Sequence, residues 1–374
     1  MKAINTGNIY RIYDNSLTTY DKLPPQVYSI RCSEMTGFFL EKHADIEIKE
    51  SKIYGVHIDK VNKVLSSFKL FERSLGVILS GNRGIGKSLF AKLLSIKAIE
   101  NGLPLIIVDK YISGIVPFIE SIEQEAVFMF DEFEKTFPDE GYEGGMSPQA
   151  AMLSLFDGLA QGKKLFVVTC NEIRELNNYL INRPGRFHYH FRFEYPTSDD
   201  IKEYLQDKLD RKYWGEIDEV ISFSNKVELN YDCLRAIAFE LNKGESFKSA
   251  IKDLNIINID SERYNVILHY DNGMTAKARN AHINLFDDSG ESVTIYLCDD
   301  RGCNFVDVSF DPVDCVFDSN KMINVVQADD LEVEYMEFDP DEEGAKIVES
   351  AKNARVEYLS IHRKQDRRNI HYTV

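Results

Sequence analysis

"GVILSGNRGIGKSLFAKLL", residues 76–94, decides how the rest of the chain is read. It begins as a short apolar run, Val77 to Leu79, of the kind that forms a buried strand. "GNRGIGKS" (81–88) follows, and then "SLFAKLLSIKAIENG", a run of good helix formers closed by Asn101 and Gly102. Strand, glycine-rich loop and helix in that order satisfy GxxxxGK[ST] in the context that gives the pattern meaning. Gly81, Gly84 and Gly86 let the backbone curl so that successive N–H groups converge on phosphate oxygens. The helix N-terminus adds its positive end. Lys87 can reach the outer phosphates and Ser88 can offer a hydroxyl to Mg²⁺. The candidate nucleotide-binding set is therefore Gly81, Asn82, Arg83, Gly84, Ile85, Gly86, Lys87, Ser88 and Leu89.

Outward from this loop, apolar runs recur between helical segments: "LIIVD" (105–109), "AVFMFD" (126–131), "LFVVT" (165–169) and the stretch from Phe187. Short continuous runs alternating with helices predict an α/β core with a parallel sheet covered on both faces. Two of the runs end in polar groups, where open α/β sheets gather ligands. "AVFMFDEFE" ends in Asp131, a candidate Mg²⁺ ligand with Ser88, and Glu132, a base aimed at an attacking water. "LFVVTCNE" ends in Thr169 and Asn171, which can reach that water or the last phosphate. "SPQAAMLSLFDGLAQGKK" predicts a helix with Ser147 as N-cap, Pro148 at its first position and Gly162 at its end; Met152, Leu155, Phe156 and Leu159 recur at helical spacing.

"INRPGRFHYHF" (181–191) holds Arg183 and Arg186 around a Pro-Gly turn that needs neither charge. Taken with the three strand ends, these residues resemble the AAA+ ATPases. "GKKLFVVTCNEIRELNNYLINRPGRFHYHF" is similar to the second region of homology of the classical AAA clade, whose RPGRF stands intact as Arg183 to Phe187, with Asn171 at the sensor position. The resemblance covers roughly residues 50–250. It implies ATP and Mg²⁺ as ligands and a hexameric ring of identical copies with nucleotide between neighbours. It also implies that Arg183 and Arg186 cross the boundary to the γ-phosphate of the next protomer, whose charge a rigid guanidinium stabilises. The alternative is a pair of surface salt bridges. Phe187, Tyr189, Phe191, Phe193 and Tyr195 alternate as a core face, leaving His188 and His190 on a solvated one.

Six residues, in three places, depart from the clade or match it loosely. Asn82 and Arg83 stand where two prolines are usual, and Ile85 where threonine is common. Arg235 in "CLRAIAFE" is either a second nucleotide-sensing arginine or an ordinary helix-surface residue. Tyr111 and Ile112 in "VDKYISGIVPFIE" resemble the aromatic–aliphatic pore loop that grips polypeptide, although Tyr111 can equally cap its strand.

The expected organisation is an N-terminal extension (1–50), the large α/β subdomain (51–196), a small helical lid (197–255) and a β-rich acidic domain (256–374). Beyond 255 the period becomes two, in "YNVILHYDNG", "ESVTIYLCDD", "CNFVDVSF", "DLEVEYMEF" and "ARVEYLSIH", with "DNG" and "DSG" turns. An antiparallel barrel or sandwich is predicted there, interrupted by the helix "DEEGAKIVESAKNA". That last third holds 24 Asp/Glu against 12 Lys/Arg, most of the net charge of −17. Such a surface is either a solvated face or a docking site for a basic partner, and it repels nucleic acid. Cys298, Cys303 and Cys315 are either buried thiols or three ligands of an incomplete metal set.

No apolar run approaches a membrane span and no leader pattern opens the chain. A cytoplasmic protein is expected, in a host cytoplasm if its compactness reflects the resemblance to bacteriophage ATPases. The leading functional expectation is a ring ATPase that remodels or translocates a protein client recruited by the acidic domain. The alternative is a nucleic-acid-associated motor such as a helicase or clamp loader, for which only "RKQDRR" and scattered lysines supply clustered cations. A scaffold that binds ATP without turnover is hard to reconcile with Glu132 and Arg183.

Overall fold

Val77, Phe128 and Phe166 lie buried in a seven-stranded sheet in the computed structural model, which describes residues 1–48, 57–139, 146–158, 162–181, 183–256, 263–287, 289–339 and 343–363. The chain divides into two units, Met1–Glu194 and Tyr195–Val374. The first begins with a separate hairpin, β1 (Lys2–Thr6) and β2 (Ile9–Tyr13). Next come β3 (Val27–Ser33), β4 (Gly37–Lys42), α1 (His57–Leu70), β5 (Leu75–Ser80), α2 (Lys87–Glu100), β6 (Leu105–Val108) and α3 (Ile115–Glu120). The unit closes with β7 (Ala126–Phe130), α4 (Phe133–Thr136), α5 (Pro148–Phe156), β8 (Lys164–Cys170) and β9 (Tyr189–Arg192).

The sheet order is β4-β3-β6-β7-β8-β5-β9, parallel throughout except for β4 against β3. Every residue of β5 and of β8 is buried, as the continuous apolar runs predict for strands covered on both faces. Below the sheet, Phe130, Phe156 and Phe166 pack edge to face at 5.7 and 5.1 Å between ring centres. On its other side Lys60 of α1 lies over the Phe191 and Phe193 rings at 5.5 and 5.7 Å.

The N-terminal extension, read from the sequence as holding a strand or two, supplies two strands of this sheet. β3 runs parallel to β6, buries Val27, Tyr28 and Ile30, and is tied down by Arg31, which donates to both carboxylate oxygens of Asp109 at 3.1 and 2.8 Å. Gln124 exchanges two hydrogen bonds with the backbone of Leu23. The helix opened by Ser147 is capped as predicted, with Ala150 N–H on Ser147 Oγ at 3.1 Å. It ends at Phe156, earlier than Gly162, because Gly158 already takes a left-handed φ of 70°. Leu159 lies outside the described residues, and Gly162 forms the entry to β8.

In the second unit four helices come first: α6 (Ser198–Lys208), α7 (Ile217–Ser224), α8 (Tyr231–Asn242) and α9 (Phe247–Asp253). Thr197 and Asp200 form a reciprocal capping box at the start of α6. Then follow β10 (Arg263–Tyr270), β11 (Thr275–His282), β12 (Val293–Cys298), β13 (Asn304–Phe310), β14 (Val316–Asp318), β15 (Ile323–Gln327) and β16 (Glu332–Tyr335). Last come α10 (Glu343–Lys352) and β17 (Val356–Arg363).

These strands form one antiparallel sheet, ordered β14-β15-β17-β10-β11-β12-β13-β16. β10 alternates between buried and half-buried positions, and its inward Tyr264, Val266 and Leu268 meet Phe305, Val326, Leu359 and Ile361 in the core. Arg363, mostly buried at the end of β17, donates to the carbonyls of Ser224 and Val227 at 2.7 and 3.3 Å, and Tyr264 Oη donates to Lys226 O at 3.0 Å. Helices and sheet of this unit therefore share buried polar joints. All six cysteines are free thiols, Cys315 is buried in the β core, and no group of three or more potential metal ligands occurs among the described residues. No described helix is long and apolar enough to cross a membrane. The basic run "RKQDRR" lies, apart from Arg363, outside the described residues.

Candidate nucleotide site

The strand order explains why residues far apart in sequence converge. β8 lies between β5 and β7, so its C-terminal end, Thr169 to Asn171, sits between the glycine-rich loop and the Asp131–Glu132 pair. The loop leaves β5 at Gly81, where φ is 137° and a Cβ would fall 2.4 Å from Phe193 O; only glycine passes there. Gly86 caps α2 in the left-handed region with no side chain bound to the first helical N–H groups. These donors and the helix dipole suit an anion. Ile85 is buried as a strut under the loop, while Asn82, Arg83 and Ser88 are exposed and Gly84 and Leu89 half-buried.

Lys87 is buried. Its ammonium donates to Gly81 O, to Asn82 O at 2.7 Å and to Asn171 Oδ1 at 3.1 Å. Burial pushes its pKa down, and the nearby acids Glu134, Asp131 and Glu132 pull it back up. Burial also raises the neighbouring Cys170 thiol to about 12, which leaves it neutral and inert.

Thr169 arranges the acid pair. Its hydroxyl donates to Asp131 Oδ1 at 2.7 Å and accepts from the Glu132 backbone N–H at 2.8 Å. Asp131 is exposed, and the bond to Thr169 engages one of its two oxygens. Glu132 sits in the left-handed region (φ 44°, ψ 54°), a conformation that costs a non-glycine residue about 1 kcal/mol or more. That turn points the carboxylate toward Asn171 Nδ2 at 3.3 Å and Lys135 Nζ at 2.6 Å. The hydrogen bond from Lys135 is the main reason its pKa lies below the ordinary carboxylate value, with Asn171 and Arg83 assisting against some burial.

The sequence reading did not single out Glu134 or Lys135. Glu134, on the one-turn α4, is 6% exposed and accepts from Asn171 Nδ2 at 2.8 Å and from Asn171 N–H at 2.9 Å. Its place in a charged run, "DEFEK", gives no local sign of burial.

The two arginines part company. Arg186 donates Nε and Nη2 to the two oxygens of Asp157 at 2.5 and 2.8 Å, and Nη1 to Tyr179 O at 2.6 Å. This fork lifts the arginine's pKa and lowers that of Asp157. Arg183 is exposed, its guanidinium over the Tyr179 ring at 5.2 Å. Their turn sits at the entry of β9, where Arg186 O approaches Gly76 and His188 N–H donates to Gly76 O at 2.9 Å. Gly81 is five residues further along β5, about 16 Å at ~3.3 Å per residue.

Of the remaining candidates, Tyr111 is half-buried with its ring edge-on to Phe137 at 5.8 Å, and Ile112 is half-buried beside it. Arg235 stands on α8 of the second unit, exposed and 3.4 Å from Asp232. His190, expected on a solvated face, shares a hydrogen bond of 2.6 Å with the buried Ser80 Oγ, whereas His188 is exposed.

A parallel sheet with a glycine-rich anion loop, a lysine and an acid pair at one edge defines a P-loop nucleoside-triphosphatase core. Residues 77–195 match the family described as "ATPase family associated with various cellular activities (AAA)", so the chain carries an AAA domain, and the match supports ATP binding and hydrolysis. No curated protein matches the chain.

Proposed function

We propose that this chain hydrolyses ATP at seams between identical copies arranged in a ring, a hexamer by the resemblance, and uses the cycle to remodel or translocate a protein client. The observation that carries the reading is the arginine turn at the far end of β5 from its own phosphate loop. At about 16 Å along the strand, these cations serve a phosphate only on another copy. Arg183 then acts in trans, and Arg186, locked to Asp157, holds the turn rigid. Lys87 and the loop N–H groups bind the phosphates, and Glu132 accepts the proton of the attacking water while Asn171 aims it. Ser88 and Asp131 fit a Mg²⁺ ion, both being exposed oxygen donors at the loop and strand end; the ion neutralises phosphate charge. The acidic surface of the second unit is proposed to recruit the client or its adaptor.

Mixing tests the seam. Lys87→Ala and Arg183→Ala are each expected to abolish most ATPase activity. Mixed copies are expected to regain part of it, because some seams then pair an intact Lys87 with a neighbour's Arg183. No regained activity at any ratio excludes the trans arrangement. Proteins retained by a Glu132→Gln variant identify the client class. Retention of nucleic acid alone points to the motor alternative and ends the remodelling proposal.

A further inference from the structure

Resting on the hydrolytic reading of this site, we infer that Glu134 is the positioning residue that fixes the orientation of Asn171 and thereby links Lys87 to Glu132. Four observations converge on it. Glu134 is buried, and a buried carboxylate is costly unless its partners compensate. Its Oε1 takes both the backbone and the side-chain N–H of Asn171, at 2.9 and 2.8 Å. Its Oε2 is buried and has no donor among the described residues, so the hydrogen bonding of this carboxylate is directed at Asn171. On the opposite side of the same amide, Asn171 Oδ1 accepts from Lys87 at 3.1 Å.

The charges leave the amide one orientation. With Nδ2 toward Glu134 and Glu132, and Oδ1 toward the ammonium, every contact is favourable. Rotating the amide by half a turn would set an oxygen against two carboxylates and an NH₂ against a cation. Nδ2 carries two hydrogens: Glu134 holds one at 2.8 Å, which leaves the other directed at the Glu132 carboxylate, 3.3 Å away. Glu134 therefore does for Asn171 what Thr169 does for Asp131: its contacts run to the side chain it orients. A side chain fixed in this way aims its amide without reorganising during turnover.

The test combines Glu134→Ala, Glu134→Gln, Asn171→Ala and the Glu134→Ala/Asn171→Ala double variant. Steady-state ATPase rates, affinity for a fluorescent ATP analogue and thermal unfolding are measured on the full chain. Glu134→Ala is expected to lower kcat about 10- to 100-fold, the scale of a misaimed group. Analogue affinity should change by no more than about threefold, since the phosphate donors remain. The double variant should be no slower than Asn171→Ala alone. Glu134→Gln, whose amide oxygen still accepts both Asn171 donors, should recover most of the rate. An undiminished kcat for Glu134→Ala, or additive losses in the double variant, overturns the role.

A crystal structure of Glu134→Ala reads the same point without turnover. Asn171 Oδ1 should leave Lys87, and an amide still held there overturns the proposal. Should wild type and Glu132→Gln hydrolyse ATP equally, the hydrolytic reading fails instead, and the crystal structure still decides the role of Glu134.

Discussion

The two large sheets of this protein bury their strands in different ways, and the difference separates chemistry from surface. In the first, β5 and β8 are buried along their whole length, and six strands run the same way. Their C-terminal ends fall on one edge, so Gly81, Asp131 and Asn171 are gathered there without any sequence neighbourhood. In the second, neighbouring strands reverse direction, so their C-terminal ends fall at alternate edges. β10 buries every other side chain and offers the rest to a broad face. A parallel sheet concentrates strand ends into a site; an antiparallel one spreads side chains over a surface.

Carboxylates give the largest contrast. Glu132→Gln should reduce phosphate release about 10²- to 10⁴-fold, the range for a lost general base. Glu334→Gln, an exposed position on β16, should leave the rate unchanged. Similar losses from both would end the distinction. Stability comes next: Phe166→Ala and Phe305→Ala each remove a fully buried ring and should cost about 3–5 kcal/mol. Calorimetry should show each change lowering the transition of its own unit, whereas one shared shift would make the two sheets a single cooperative body.

Smaller still is Arg186→Ala, which removes a charged fork on Asp157 and should cost about 2 kcal/mol in urea unfolding. The smallest effect concerns pH. Lys135 holds the Glu132 carboxyl below its ordinary value, so the base stays ionised as pH falls. Lys135→Ala should therefore move the acid limb of the kcat profile upward, toward neutrality. A limb that stays put, or moves down, would show that another group governs it.

Much of this was legible in the sequence, for reasons that also mark the boundary. The loop, the acid pair and the polar end of β8 are local patterns whose spacing carries their chemistry. The strands β5 to β8 announce themselves as continuous apolar runs, and β9 by its alternating aromatics. β11, β14 and β15 do not, because "TAKARNAH" and the two short strands lack a clean alternation and are fixed by their neighbours. β3 joins the sheet beside β6, a pairing across a sequence distance that no local rule reaches. Glu134 is illegible for the same reason: only the insertion of β8 between β5 and β7 brings Asn171 above it. His190 followed the alternation rule yet found Ser80, since an edge strand's outer face can still meet the strand beside it.

The placement of β3 has a practical consequence for anyone trimming the chain to its catalytic part. A fragment beginning at residue 51, the first residue of the α/β subdomain as read from the sequence, would strip Val27, Tyr28 and Ile30 from the flank of β6 and leave Asp109 without Arg31. The unzipped margin would offer bare amide and carbonyl groups to the next molecule, an invitation to aggregate. A shortened ATPase that stays in solution should begin ahead of Leu23.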